Sequence, residues 1–136
     1  MAWTITQSVD ERVSIKTAMG EKLIVVKLAC VSDASASGTV AIESDVFREI
    51  RGSWLYMVKF EPGTGDDVPD AAFDFDVEDK NNVHILDTDS NTHTANSFVT
   101  GSETLGVFPP VIHDLNVVIG TLGNLNTADI YMYFTK

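Results

Sequence analysis

The segment Ala72-Phe73-Asp74-Phe75-Asp76-Val77-Glu78 has the strictest alternation in this chain of 136 residues. From position 73 onward its odd-numbered residues are apolar and its even-numbered residues are acidic. Successive side chains of a β-strand point to opposite faces, so this segment is predicted to be a strand with one face in a core and the other in water. Half-buried strands of this kind are typical of antiparallel sheets.

Strand-like segments also dominate the sequence on both sides of this strand. Residues 21–31 are rich in β-branched side chains and predict a largely buried strand, while residues 3–15 alternate less regularly. The last two predicted strands are joined by residues 120–127, which contain two glycines and two asparagines, and are expected to form a hairpin. Further strands are predicted at 39–42, 54–60, 83–86, 115–119 and 128–134.

These seven to nine strands predict an all-β fold, namely a single-domain antiparallel β-sandwich, jelly-roll-like or otherwise, or a flattened barrel. At most one short helix is expected. Residues 44–51 are the best candidate, because Ser44 or Asp45 could cap a helix whose apolar residues recur at helical spacing; a strand is the alternative. The predicted domain is 1–136, with an N-terminal arm at about residues 1–8 that can extend from it.

Two polar loops are predicted as contact surfaces. Residues 61–70 combine Pro, Gly and Asp, and residues 87–97 form a long polar stretch. The many carboxylates between positions 61 and 79 invite a calcium interpretation, but no EF-hand spacing begins at Asp74 or Asp87. A solvated acidic face is therefore favoured, with a different calcium site or a charged docking surface as the alternative.

The chain is strongly acidic, with a formal net charge of −11. This charge argues against binding nucleic acid through phosphate contacts and favours a partner with a basic surface. The longest apolar run, residues 23–26, is broken by Lys27, so no membrane-spanning segment is predicted. The N-terminus lacks the features of a secretory signal, and synthesis in the cytoplasm is expected.

The sequence contains none of the common catalytic motifs. It has no Gly-x-Ser-x-Gly elbow, P-loop or dinucleotide fingerprint, and His84, His93 and His113 are too scattered for a zinc motif. We therefore expect no enzyme activity, no cofactor and no metal centre. The single cysteine, Cys30, lies in an apolar strand-like run and is interpreted as a buried hydrophobe.

Most aromatic residues lie in predicted strands, and their spacing favours core packing, with a carbohydrate-stacking platform as the alternative. Trp3 is the aromatic residue most expected to be exposed, because it lies near a terminus. The residues assigned to the core on this basis are Trp54, Tyr56, Phe60, Phe73, Phe75, Tyr131, Tyr133 and Phe134.

Several parts of the chain together resemble a family of small structural proteins of tailed-phage virions. The matching parts are the strand and Pro-Gly loop at 52–65, the aromatic-Asp strand at 69–79 with the apolar segment 83–86, and the closing strands 115–119 and 128–134. They cover roughly half of the chain and include no catalytic signature. The chain departs from the family at residues 80–82, where an Asp-Gly-like turn is expected, and at residues 87–96, which replace a segment rich in small residues.

The resemblance implies a virion protein that is assembled in the host cytoplasm. The leading hypothesis is a capsid decoration (cement) protein that binds the major capsid protein and itself, with a trimer as one candidate oligomer, and that binds neither nucleic acid nor membrane. A tail or head-to-tail adaptor subunit is the second hypothesis, and a carbohydrate- or receptor-binding module is the third. The predicted partner-binding residues are Trp3, Asp66, Asp67, Asp70, Asp87, Asp89 and His93.

Overall fold

The computed structural model describes residues 4–14, 22–32, 37–63, 73–81, 84–91, 97–100, 111–120 and 126–136. Within these ranges the chain forms nine β-strands and one short α-helix, which confirms the predicted all-β class. In chain order the elements are β1 (Thr4–Ser14), β2 (Lys22–Val31), β3 (Ser37–Ala41), α1 (Ser44–Ile50), β4 (Trp54–Pro62), β5 (Phe73–Asp79), β6 (His84–Asn91), β7 (Ser97–Thr100), β8 (Leu115–Gly120) and β9 (Thr127–Thr135).

The strands form two antiparallel sheets. The five-stranded sheet has the order β1-β2-β9-β4-β7, and the four-stranded sheet has the order β3-β8-β5-β6. Buried side chains from both sheets belong to one hydrophobic cluster. The two sheets therefore pack face to face, which confirms the predicted antiparallel β-sandwich.

Alternating burial along the central strands builds the core between the sheets. In β9 every second residue from Ala128 to Phe134 is buried, and in β8 every second residue from Leu115 to Ile119 is buried. The strand that shows the alternation most clearly in the sequence is β5, whose described apolar residues Phe75 and Val77 are fully buried. The apolar face predicted from this alternation is the face that packs in the core.

Strand β4 changes the parity of its buried residues part-way along its length. Leu55 is buried, Met57 is only half-buried, and Val58 and Phe60 are buried. The pairing of β4 with β9 shifts between Leu55 and Met57. An extra residue in one strand turns all the following side chains to the opposite face, so this bulge directs Phe60 into the core.

The rings of Phe60 and Phe75 meet in the middle of the sandwich. Their centroids lie 5.4 Å apart and their planes cross at 77°, which is the favourable edge-to-face arrangement of aromatic rings. Both side chains are fully buried. Because Phe60 belongs to β4 and Phe75 to β5, this contact joins the two sheets directly.

The side chain of Gln7 connects one edge of each sheet. Its Nε2 donates a hydrogen bond to the carbonyl oxygen of Ala41 at 2.9 Å, and its Oε1 accepts one from the backbone N–H of Glu43 at 2.9 Å. Gln7 lies on β1 at the edge of the five-stranded sheet, and Ala41 ends β3 at the edge of the four-stranded sheet. The side-chain amide of Gln7 thus links the two sheets on this side of the sandwich.

The predicted helix is confirmed as α1, and the alternative of a strand is wrong. Its N-cap position is Glu43, without a side-chain capping hydrogen bond, so the predicted cap at Ser44 or Asp45 is also wrong. Gly52 follows the helix with a φ of 81°, a left-handed conformation that favours glycine and lets the chain turn into β4. No helix among the described residues is long and apolar enough to cross a membrane.

Three other expectations are wrong. Residues 87–91 are not a loop but the second half of β6, where polar residues suit a strand at the end of the sheet order. Strands β8 and β9 do not form a hairpin, because β8 lies in the four-stranded sheet and β9 in the five-stranded sheet. The N-terminal arm is wrong from Thr4 onward, since the backbone of β1 already pairs with β2 there.

Replacing Phe60 with alanine should lower the free energy of unfolding by about 3–5 kcal/mol, because it removes a buried ring and leaves a cavity between the sheets. Phe60→Leu keeps most of the side-chain volume and should lower the free energy of unfolding by less. Urea unfolding followed by circular dichroism measures both changes. Ile112→Ala is the control, because it truncates a side chain that is 59% exposed and should change stability by no more than about 0.5 kcal/mol. Equal losses for Phe60→Ala and Ile112→Ala would contradict the central position of Phe60.

Replacing Gln7 with alanine should lower the free energy of unfolding by about 1 kcal/mol, because its hydrogen bonds to the end of β3 and to the N-cap residue of α1 are lost. At neutral pH, Gln7→Glu should lower the free energy of unfolding more than Gln7→Ala does. Its carboxylate has no N–H group to donate to the Ala41 carbonyl oxygen that it faces. That contact raises the folded-state pKa of the new carboxyl group, so the extra loss should disappear as the pH falls and the group is protonated. Thermal melts from neutral to acidic pH measure the melting temperatures of both Gln7 variants. They are compared with the unchanged protein and with the exposed control Ser8→Ala. A pH-independent difference between the two Gln7 variants would refute this role.

Candidate functional site on the outer face of the five-stranded sheet

The outer face of the five-stranded sheet is the face turned away from the core. Strand β9 lies between β2 and β4, so each outward residue of β9 has a partner on both neighbours. These residues form three cross-strand rows. The apolar row contains Val25, Tyr133 and Met57; the central row contains Lys27, Tyr131 and Lys59; and the acidic row contains Ala29, Asp129 and Glu61.

The central row places an aromatic ring between two ammonium groups. The Nζ atom of Lys59 lies 4.3 Å from the centroid of the Tyr131 ring, and the Nζ atom of Lys27 lies 5.6 Å from it. Both distances fall within the range of cation–π attraction. The two lysines and Tyr131 therefore hold one another in place on the sheet surface.

The acidic row supplies a carboxylate to each of these lysines. Lys59 Nζ lies 2.8 Å from Glu61 Oε1, and Lys27 Nζ lies 3.7 Å from Asp129 Oδ2. The side chains are partly exposed, between 22% for Lys59 and 41% for Asp129. Among the residues that the structure describes, two ammonium groups and two carboxylates thus lie around Tyr131.

These contacts raise the pKa of both lysines. The pKa of Lys59 is raised mainly by its hydrogen bond to Glu61, and the pKa of Lys27 mainly by the charge of Asp129 and then by Tyr131. A raised folded-state pKa stabilises the fold below the unfolded value of 10.5, and this contribution is lost as the pH rises through the folded-state value. At neutral pH both lysines are therefore cationic, which suits them to binding and not to acting as bases or nucleophiles.

The apolar row completes the face on the other side of Tyr131. Val25 lies in this row but is only 2% exposed, so the accessible apolar surface of the row comes from Met57 and Tyr133, which are half-buried. The outer face thus changes within three rows from apolar, through aromatic and cationic, to acidic. A surface with this order offers apolar contact, hydrogen-bond donors and hydrogen-bond acceptors to one ligand.

Sequence reasoning assigned the aromatic residues of β9 to the core, and this is confirmed only for Phe134. Tyr131 and Tyr133 stand on the outer face, because they alternate with the buried residues Ile130 and Met132. The parity of positions within the strand is the signal that separates them from Phe134. Phe60 and Phe75 are confirmed as core residues, whereas Trp54 is 36% exposed.

The two predicted partner-binding residues that the structure describes do not lie on this face. Asp87 and Asp89 lie in β6, on the other sheet, where Asp87 pairs with Asp76 of β5. Their assignment to binding stays a prediction. The remaining predicted residues lie outside the described part of the chain; they are Trp3, Asp66, Asp67, Asp70 and His93.

Within the described residues, two other sets of groups that could take part in binding or catalysis are paired or buried. A surface depression between β1 and α1 is spanned by the ion pair of Arg12 with Glu49, whose Nη2 and Oε1 atoms lie 3.1 Å apart. Cys30 is buried as predicted, and burial raises the pKa of its thiol to about 12. Within the described ranges, no group of three His, Cys, Asp or Glu side chains is placed to hold a metal ion.

No protein-family model matches this chain, and no curated protein sequence matches it. Among solved structures it is similar to the CBM22-1 xylan-binding domain of Paenibacillus barcinonensis Xyn10C, with 11% identity, 98% of this chain and 83% of that chain covered, and a TM-score of 0.35. It is also similar to the α-L-arabinofuranosidase MgGH51, with 11% identity over 98% of this chain and 23% of that chain, and a TM-score of 0.34. Tailspike protein 4 of bacteriophage CBA120 is similar at 11% identity over 96% of this chain and 19% of that chain, with a TM-score of 0.32.

Lys59 should be acetylated by acetic anhydride several-fold more slowly than Lys22, because its raised pKa and its contacts reduce the accessible neutral amine. Lys22 is exposed and serves as the internal reference. Glu61→Gln should accelerate acetylation at Lys59 and leave Lys22 unchanged, since the carboxylate is the main cause of the raised pKa of Lys59. Quantitative mass spectrometry of tryptic peptides measures both rates. Equal rates for the two lysines in the unchanged protein would contradict the arrangement of the central row.

Proposed function

We propose that this chain is a structural protein of a tailed-phage virion: a capsid decoration protein that oligomerises on the shell and bridges subunits of the major capsid protein. The observation that carries the proposal is where the segments that resemble virion proteins lie in the fold. They include β4, β5, β8 and β9, and β4 pairs with β9 while β5 pairs with β8. The resemblance therefore covers the paired centre of both sheets, which the Phe60–Phe75 contact joins.

The charge of the chain supports docking on a basic surface. The net charge is −11, and β6 at one end of the four-stranded sheet order carries Asp87 and Asp89. An acidic strand at this position resists pairing with strands of other copies and attracts a basic partner over a longer range. Binding to assembled shells stabilises assembly by mass action, and repeated weak contacts add through multivalency.

The copy number of the protein in purified virions tests this proposal. Quantitative mass spectrometry should give about one copy per shell subunit, or a simple fraction such as one third, if the protein decorates the shell by symmetry. A few copies per virion would favour a tail or head-to-tail adaptor subunit instead. Absence from purified virions would overturn the virion proposal.

Purified protein should bind assembled shells, and the binding should weaken as the salt concentration rises, because charge attraction is screened. Replacing Asp87 and Asp89 together with asparagine should weaken binding further at low salt. The control replaces the exposed residues Glu43 and Asp45 with glutamine and asparagine, which removes the same charge from another surface. Co-sedimentation with shells measures the binding of the unchanged protein and of the two double variants. Equal weakening by the two double variants would point to net charge alone and would exclude β6 as the docking edge.

A further inference from the structure

We propose that the outer face of the five-stranded sheet binds a neutral saccharide, with Tyr131 at the centre of the site. This function goes beyond shell decoration and uses a different sheet from the acidic edge formed by β6. The three rows of the outer face are the observation that carries it.

The charge balance of the site selects a neutral ligand. Among the described residues, Lys27 and Lys59 are each matched by a carboxylate, from Asp129 and Glu61, so these two pairs carry no net charge; the carboxylate of Asp10 also acts on Lys27. The chain as a whole carries −11, which repels anionic ligands at longer range. A cationic ligand gains no net attraction from the balanced pairs. An anionic ligand is therefore disfavoured, and the matched pairs suit a ligand that brings no net charge to the contact.

The hydrogen-bonding groups of the site select a ligand rich in hydroxyl groups. A lysine ammonium has three N–H donors, and a carboxylate has about four acceptor positions, so each ion pair keeps unused capacity for both kinds of bond. A hydroxyl group both donates and accepts, and neighbouring hydroxyls of one sugar ring can meet the Lys59–Glu61 pair together. Hydrogen bonds to charged groups are about twice as strong as those between neutral groups.

The apolar row provides the other surface that a sugar requires. The carbon-bound hydrogens of a pyranose ring form an apolar patch beside its hydroxyls. Met57 and Tyr133 are half-buried next to the central row and offer a matching apolar surface. Aromatic rings and methionine adapt well to such contacts, because their electron clouds attract C–H groups.

The site is ordered before a ligand arrives. The lysine side chains, which are normally mobile, are held by their carboxylates and by the Tyr131 ring at 4.3 and 5.6 Å. Immobilising long side chains is one of the main costs of binding, so fixing them in the free protein favours affinity. All these residues stand on β2, β9 and β4, the three neighbouring strands in the middle of the sheet.

Binding is tested with the full chain on an array of neutral and anionic glycans, followed by titration of the strongest neutral oligosaccharide into protein labelled with ¹³C at its methionine methyl groups. Met57 lies on the outer face, and Met132 lies on the same sheet in the core at 0% exposure. We expect the Met57 methyl signal to shift with saturation while the Met132 signal stays in place. Met57→Leu and Met132→Leu assign the two signals.

Glu61→Gln should weaken binding of the neutral oligosaccharide at least about tenfold. The substitution removes the charge that fixes Lys59 and one set of strong hydrogen-bond acceptors. Tyr131→Ala should weaken binding by at least as much. If Tyr131→Ala does not fold, the test rests on Glu61→Gln, whose melting temperature should equal that of the unchanged protein. Arg48→Gln is the matched control, because it breaks an exposed ion pair, with Asp45, on α1 and should leave binding unchanged.

Three outcomes would overturn the proposal: no glycan bound, anionic glycans bound in preference, or a neutral glycan whose affinity is the same in Glu61→Gln and in the unchanged protein. A shift of Met132 equal to that of Met57 would also overturn it, since the ligand would then not be at the outer face. None of these results bears on the copy number in virions, so shell decoration and saccharide binding fail independently.

Discussion

The edge-to-face contact between Phe60 and Phe75 is the interaction on which the two-sheet arrangement depends, and a single extra residue in β4 makes it possible. Without the bulge after Leu55, Phe60 would fall on the outer face. The same shift in parity sends Met57, Lys59 and Glu61 outward. The bulge therefore fixes the centre of the core and one third of the outer face together, and neither could be changed independently of the other.

Strand β9 gives the outer face its rigidity. It is paired on both sides, and backbone hydrogen bonds between Lys22 and Lys136 at 3.0 and 3.1 Å close one end of its ladder with β2. At the other end, the N–H and hydroxyl groups of Ser32 bond with the backbone of Asn126. For a strand held at both ends and anchored by buried apolar residues, we expect the free energy of local opening to approach that of global unfolding. Its outward side chains therefore stand on one of the most stable parts of the fold.

Local patterns predicted most of the elements, but neither β7 nor the pairing partners of the strands. The alternation in β5 and the helical spacing in α1 are properties of a few neighbouring residues, and both are found as predicted. The separation of β8 and β9 into different sheets follows from pairing with distant strands, which the sequence of a loop does not encode. The polar second half of β6 shows the same limit, because a strand at the end of a sheet order does not need apolar residues on both faces. The central row could be predicted only with knowledge of the register of β2 against β9, since Lys27 and Tyr131 are 104 positions apart in sequence.

The two proposed surfaces differ in the range over which they act. An acidic edge in a chain of charge −11 attracts a basic partner over about a Debye length and loses this attraction in salt. The balanced ion pairs around Tyr131 cancel at that distance and act only through short hydrogen bonds and contact. In the proposed assembly, copies on a shell would repel one another through their net charge, but a neutral ligand at the outer face would not be affected by that repulsion. The two proposals are therefore compatible in one molecule, because one surface acts through long-range charge and the other through short hydrogen bonds and apolar contact.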